Sequence, residues 1–224
     1  LRPDLIPSTG NPMTDKIELL THPLTCWTGF GGLPDFAALK DEHFKPVFEA
    51  AMAAHAAEIE AIADNPDAPT LENTLAALEL SGDPLGRVSS IFWLRSGAHT
   101  NDLIQTLERE FAPALSRHYS AVSMNPKLFA RIDTLYRERE ALAKDTETRR
   151  VIEKSWKGFV RSGAKLNAEE QKQFSTINER LSVLGATFGQ NVLADEKIPA
   201  LILADSEELA GLPDWLKAAM ASAA

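Results

Sequence analysis

Apolar side chains recur at alternating spacings of three and four residues along one segment in the last third of the chain. They are Phe174, Ile177, Leu181, Leu184 and Phe188. That spacing places them on one face of an α-helix and forms a seam like that of a coiled coil. Asn167, followed three residues later by Glu170, is typical of a capping box where such a helix begins. The seam predicts an antiparallel pair with the preceding helix, whose apolar stripe is Ile152, Trp156, Phe159 and Val160.

Helix-start signals also recur through the rest of the chain. Candidate N-cap residues, whose side chains can accept hydrogen bonds from the free N–H groups of a helix, precede each new apolar pattern. They are Thr70, Asp83, Asn101 or Thr100, Asn125 and Asp145. Pro84 and Pro126 follow two of these caps, and Pro46 fits the first turn of another helix. Pro113 predicts a kink. Residues 46–197 are therefore predicted to form a helical domain, with antiparallel hairpins and long helices in an all-α fold.

The two ends of the chain have a different character. Residues 1–23 are predicted to be a flexible segment, in which Met13 suggests that 1–12 precede the natural start, and residues 24–45 an extended aromatic and Gly-Pro arm. That arm either provides a contact surface or folds back onto its own helices. Residues 198–224 are predicted to hold one short apolar strand, at 199–203, and the start of a truncated helix. A strand without a partner strand suggests that the chain is a portion of a larger protein.

The charge balance excludes several classes of partner. The 23 Lys and Arg against 32 Asp and Glu give a net charge of −9. Such a chain repels phosphate backbones, so neither a nucleic acid nor an anionic membrane is an expected partner. The single cysteine cannot form an internal disulfide. With no apolar run of about 20 residues and no secretory signal, we expect a cytoplasmic protein.

The sequence provides no catalytic, cofactor-binding or metal site. Its histidines lie at positions 22, 43, 55, 99 and 118, and no His-Glu-x-x-His motif occurs. His55 is interpreted as a surface or packing residue and His99 as part of a helix entry. A role of either in proton transfer or metal binding would need a carboxylate partner that the sequence does not identify.

Three weaker patterns are interpreted structurally. Gly29, Gly31 and Gly32 lack the preceding strand and the third glycine spacing of a dinucleotide loop, so a plain loop is expected. Cys26 has only His22 near it in sequence and is taken as structural. A basic strip is expected to be a solvated helix face paired with Glu147 and Glu153; it comprises Arg149, Arg150, Lys154, Lys157 and Arg161. From these residues alone, the chain is a helical interaction module.

Five segments, in order, resemble one family of enzymes. They are Leu33-Pro34-Asp35-Phe36 with the Phe44-Lys45-Pro46 that follows, Asn65-Pro66 with Pro69-Thr70-Leu71-Glu72-Asn73-Thr74-Leu75, Phe159-Val160-Arg161-Ser162-Gly163-Ala164, Phe188-Gly189-Gln190-Asn191, and Leu209-Ala210-Gly211-Leu212-Pro213. Their order is similar to that of the N-terminal part of the zinc metallopeptidases that include oligopeptidase A, thimet oligopeptidase and peptidyl-dipeptidase. Ser81-Gly82-Asp83-Pro84 and Ala98-His99-Thr100-Asn101-Asp102 resemble most closely the bacterial peptidyl-dipeptidase branch.

The resemblance implies a portion of a bilobal, helical peptidase. Its N-terminal helices would form a channel wall that admits short peptides, and its zinc ligands would lie beyond the matched region. No ligand or catalytic residue is carried over to this chain, which is expected to be inactive alone, to bind no zinc and to have the missing C-terminal catalytic region as its partner. The exposed apolar faces left by such a cut predict self-association.

Two alternatives remain open at this point. The chain could belong to the oligopeptidase A branch, which cleaves inside short peptides. It could also be a stand-alone helical module that binds peptides or a partner protein.

Overall fold

The computed structural model describes residues 19, 21–196, 203 and 207–223 of the chain. These residues are α-helical apart from turns, and no strand occurs among them, so the expected all-α fold is confirmed. The strand predicted at 199–203 lies outside the described residues except for Leu203, which has no regular structure. The chain divides into two compact units, Leu1–Thr187 and Phe188–Ala224. No helix of the described part is both long and apolar enough to cross a membrane.

The helices follow one another closely along the described chain. Short 3₁₀ turns at Phe30–Gly32 and Asp41–His43 precede them. The helices are α1 (Phe44–Ala63), α2 (a π-helical segment Leu71–Ala76 continued by Ala77–Leu80), α3 (Asp83–Ala98), α4 (Asp102–Ser123), α5 (Pro126–Arg137), the single turn α6 (Arg139–Leu142), α7 (Thr146–Arg161), α8 (Ala168–Glu196) and, in the second unit, α9 (Asp214–Ala223).

The predicted caps begin these helices with one exception. The side chains of Asn101, Asn125 and Asp145 accept hydrogen bonds from free backbone N–H groups, as expected. Thr70 forms a reciprocal capping box with Asn73, and the box predicted at the start of α8 joins Asn167 to Glu170 by two hydrogen bonds of 3.0 Å. Such caps replace the acceptors that the first turn of a helix lacks.

One proline-containing segment differs in detail from expectation, and a second is left untested. The predicted cap Asp83 is instead the first residue of α3, and the cap position belongs to Gly82, whose φ of 71° is left-handed. Glycine adopts that conformation without the steric strain of a Cβ, which is why it can occupy the sharp turn between α2 and α3. Pro113 lies inside α4, which continues through it from Asp102 to Ser123; the kink stays a prediction.

The first core joins α1, α3 and α4 to the arm before them. Its centre is aromatic and fully buried, and consists of Phe44, Phe48, Phe92 and Phe111. Leu24 of the arm is buried in the same core, and the Trp27 indole N–H donates to the Leu24 carbonyl. Arg87 of α3 stacks over the Trp27 ring at 5.5 Å. The arm therefore folds back onto its own helices at Leu24 and Trp27, whereas Phe30 and Phe36 are 98% and 48% exposed, so neither expectation holds for the whole arm.

The second core lies between α1, α2, α5 and α7. Its buried residues include Ile59, Leu75, Leu128, Ile132, Leu135 and Ile152. Trp156 of α7 stacks on Tyr136 of α5 with ring centroids 4.1 Å apart and donates its indole N–H to Asp133. The apolar stripe of α7 thus packs against α5.

The predicted pairing of the α8 seam with α7 is therefore wrong. The apolar stripe of α7 is directed to α5, and Ile177, Leu181 and Leu184 of α8 remain 58%, 59% and 46% exposed. A helix has one apolar face but several possible neighbours, and the competing neighbour here is the amphipathic helix α5.

Candidate functional site

Two histidines that lie 63 positions apart in sequence meet where α1 crosses α4. His55 Nδ1 and His118 Nε2 are 2.8 Å apart, and the ring centroids are separated by 4.9 Å. His55 is only 7% exposed, so the expected packing role on α1 is confirmed. The partner that the sequence did not identify is a second imidazole rather than a carboxylate.

The surrounding hydrogen bonds define the tautomers of this pair. The Ser81 hydroxyl donates to the Leu78 carbonyl at 2.7 Å, and its oxygen lies 3.3 Å from His55 Nε2. A hydroxyl that already donates can only accept from the ring, so His55 carries its proton on Nε2. His55 Nδ1 then accepts, and His118 Nε2 donates.

The turn between α2 and α3 covers the His55 ring. A Cβ on Gly82 would come within 3.0 Å of ring atoms of His55. The backbone N–H of Gly82 donates to Glu58 Oε2 at 2.8 Å, one turn along α1 from the ring. The turn at Gly82 therefore packs on the His55 ring and is fixed to α1 by its hydrogen bond with the Glu58 carboxylate.

Burial lowers the pKa of both imidazoles. For His55, desolvation lowers the pKa and the negative charge of Glu58 opposes the shift in part. For His118, desolvation acts first and the neighbouring His55 lowers the pKa further. The adjacent Tyr119 phenol has a raised pKa because of burial, so it stays neutral. The pair is thus a neutral hydrogen-bonded link between helices, and the Ser81 hydroxyl beside it already donates to the Leu78 carbonyl.

The pair gives the chain a defined pH dependence. Because each folded-state pKa lies below the ordinary value of 6.5, the unfolded chain binds protons first as the pH falls. The contribution of the neutral histidine pair to the free energy of unfolding is complete above about pH 6.5 and is lost as the pH decreases below that value. We expect the imidazole NMR signals of the pair to titrate below the midpoint of a histidine in an unstructured peptide. Midpoints at or above that value would contradict the burial argument.

The other candidate residues are dispersed. His22, just before the arm, contacts His43 edge to face at 5.2 Å between ring centroids. His99 directly follows α3 rather than entering α4. Cys26 is a half-buried free thiol. No group of three or more His, Cys, Asp or Glu side chains in the described ranges could hold a metal ion.

The glycine-rich segment forms a tight loop, as expected. Gly31 and Gly32 have left-handed φ angles of 67° and 77°. The Gly29 N–H donates to the Leu33 carbonyl at 2.9 Å, and a Cβ on Gly29 would lie 2.5 Å from that oxygen. The loop leads into extended backbone at Leu33 and is not followed by the helix of a dinucleotide-binding motif.

The basic strip of α7 is paired in part. Arg150 bonds to Glu153 at 3.4 Å, as predicted, whereas Arg149 bonds to Glu140 of α6 at 3.2 Å rather than to Glu147. The side chains of Arg149 and Arg150 are 41% and 59% exposed, so each pair contributes little to stability.

In the described part of the chain, the apolar face of α8 is exposed. Ile177, Leu181 and Leu184 form this face within the first unit. In the second unit, Phe188 and Val192 of the same helix are 71% and 40% exposed. Consecutive apolar side chains exposed on one helix are typical of an interaction surface.

Comparison with known proteins connects this helical scaffold to peptidases. No protein-family model matches the chain. The dipeptidyl carboxypeptidase of Escherichia coli is 37% identical over 191 residues, which are 85% of this chain and 28% of that protein. The oligopeptidase A of Salmonella typhimurium is 30% identical over 201 residues, 89% of this chain and 29% of that protein. For the oligopeptidase A of Escherichia coli the identity is 27% over 188 residues.

The relatives that this chain matches are therefore peptidases, namely dipeptidyl carboxypeptidase and oligopeptidase A. It spans a little more than a quarter of the length of these relatives, 28% and 29% in the two cases above. The resemblance inferred from the ordered motifs is confirmed.

Proposed function

We propose that this chain is the N-terminal, channel-wall region of a zinc-dependent peptidase of the peptidyl-dipeptidase type. In that role it limits access of substrates to short peptides and contributes no catalytic group. The observation that carries the proposal is the higher identity to a dipeptidyl carboxypeptidase, 37%, than to the oligopeptidases A, 30% and 27%. The absence of His-Glu-x-x-His from the 224 residues is consistent with catalysis elsewhere.

Zinc, in this proposal, is held by residues outside the part of the chain that the structure describes. A catalytic zinc needs three protein ligands, and the described residues offer no such group. The histidine pair of α1 and α4 is closed on itself by its hydrogen bonds, so it does not fit a metal. We therefore derive no chemical step from this chain.

The exposed face of α8 supports a scaffold role. We propose that Ile177, Leu181 and Leu184 pack against the C-terminal catalytic region of the larger peptidase. Because these side chains are already about half buried, covering the rest would contribute roughly half of the 1.5–3 kcal/mol of a full burial, about 1 kcal/mol each. The division of the chain into 1–23, 24–45, 46–197 and 198–224, and its place in the cytoplasm, belong to the same proposal.

Two other functions have specific support. The match to the oligopeptidase A of Salmonella typhimurium covers 89% of the chain, which allows an endopeptidase of short peptides. The exposed apolar face also fits a stand-alone module that binds an amphipathic peptide.

Activity and binding assays on the purified chain separate these possibilities. We expect no hydrolysis of short peptides with added zinc and no tight zinc site by titration. Saturable peptide binding by calorimetry without any catalytic region would favour the stand-alone module. Peptide hydrolysis that survives a chelator would overturn the proposal.

The same face predicts self-association of the isolated chain. Replacing Leu181 with glutamate places a charge at the centre of the face, so we expect the association of the wild-type chain to be lost in sedimentation velocity. Thr187→Glu adds the same charge to an exposed polar position of α8, where the Thr187 hydroxyl donates to the Val183 carbonyl of its own helix. That control should associate like the wild type. A monomeric wild-type chain that binds no hydrophobic dye would contradict the prediction.

A further inference from the structure

A polar cavity of about 360 Å³ lies between α4, the end of α7 and the first half of α8, all within the first unit. Three serines of α4 line it, since Ser116, Ser120 and Ser123 share one face of that helix. Arg161, the last residue of α7, closes one side. Neither the proposed peptidase function nor the histidine pair uses this cavity.

The polar side chains of the cavity have no partners among the described residues. The hydroxyls of the three serines and the Arg161 guanidinium form no hydrogen bond or ion pair with any residue of the ranges that the structure describes. The Ser155 hydroxyl on α7, by contrast, donates to the Val151 carbonyl at 2.9 Å. Unpaired donors that converge on one cavity are available for a bound group.

The charges of the lining residues indicate which kind of ligand the cavity would bind. No carboxylate lines the cavity. Glu179 follows the lining residue Asn178 in sequence, and its carboxylate is already paired with Arg117 at 2.5 Å. The phenol of Tyr119 also lines the cavity, and burial raises its pKa, so it remains a neutral donor. A guanidinium among hydroxyl and amide donors matches the oxygens of a carboxylate or a phosphate.

We propose that this cavity is a binding site for a small oxyanion, with Arg161 as the charged anchor and the α4 serines as hydrogen-bond donors. The ligand class is a carboxylate- or phosphate-bearing small molecule. The ends of α4 and α7 carry partial negative charge near the site, so the affinity comes from Arg161 and the hydroxyls and is expected in the millimolar range, about −4 kcal/mol.

Amide NMR titrations of the whole 224-residue chain test this site. Inorganic phosphate and N-acetylglycine are added separately at constant ionic strength, so that the two ligands distinguish a phosphate source from a carboxylate source. Saturable shifts at Ser120, Ser162 and Asn178 with either ligand support the oxyanion site. Shifts that do not saturate, or that spread over all basic residues, would overturn it.

Two variants and one control identify the groups that bind. Arg161→Gln removes the charge and should weaken binding at least about tenfold, the usual effect of losing a charged hydrogen bond. Ser120→Ala keeps the charge and should weaken binding by a smaller factor. Arg180→Gln removes an exposed arginine of α8 that does not line the cavity, and it should bind like the wild type. Equal loss in Arg161→Gln and Arg180→Gln would mean that only overall charge matters, which contradicts the proposal.

Discussion

Replacing Arg131 with methionine is expected to destabilise the chain by about 3 kcal/mol, because a buried guanidinium connects α5 to the loop before α2. Arg131 is 7% exposed. Its Nη1 donates to the carbonyls of Asn65 and Asp67 at 2.8 and 3.0 Å, and its Nη2 donates to Asn73 Oδ1 at 2.8 Å. Nε donates to the Thr74 hydroxyl at 3.2 Å.

Methionine fills much of the same volume but removes the donor to the Asn65 and Asp67 carbonyls. Asn73 Oδ1 loses one of its three donors and keeps those from Thr70 N–H and the Thr74 hydroxyl. Asn73 is also part of the capping box of α2, so the loss extends to the start of that helix. The free energy of unfolding from urea denaturation measures the effect. Arg131→Lys should lose most of the same stability, because one ammonium group cannot reach acceptors on several sides.

Arg137→Met is the matched control on α5. Arg137 is exposed and its ion pair is with Asp133 in the same helix, so this change should alter stability by no more than about 1 kcal/mol. Equal effects at positions 131 and 137 would contradict the view that the guanidinium of Arg131 holds the loop.

Phe92→Ala is expected to have the largest effect of any substitution in the first core, about 4 kcal/mol. The Phe92 ring is fully buried and packs edge to face against Phe44 and Phe48, each at 5.3 Å between centroids, and against Phe111 at 6.1 Å. These contacts join α3 to both α1 and α4. The truncation removes the ring from the point where the three helices meet, and the cavity left behind adds to the lost transfer free energy.

Thermal or urea unfolding measures this loss, with Leu94→Ala as the control. Leu94 is on the same helix and is 54% exposed, so its truncation should be milder, about 1 kcal/mol. A loss at Phe92 no larger than that at Leu94 would contradict the placement of the ring at the centre of the core.

The helix starts could be predicted from the sequence because their determinants are local. Asn101, Asn125 and Asp145 each bond to backbone groups two or three residues away, so the signal and its target lie within one short segment. The same is true of the Asn167 and Glu170 box.

The contacts between helices could not be predicted in the same way. His55 meets His118, and Arg131 meets the loop at Asn65, across more than 60 positions, and no local pattern specifies such pairs. The seam of α8 shows the same limit, since its periodicity correctly indicated a helix with an apolar face but not the partner of that face. The oxyanion cavity likewise depends on three helices that come together only in the fold.

Dipeptidyl carboxypeptidase activity of a chimera tests the central claim most directly. In the chimera, this chain replaces the matching 191-residue region of the Escherichia coli dipeptidyl carboxypeptidase. We predict that it releases dipeptides from short peptides and that a chelator abolishes the activity, while the 224-residue chain alone is inactive. A folded but inactive chimera, or hydrolysis by the chain alone, would contradict the claim that these helices are the scaffold of a reaction centre located elsewhere.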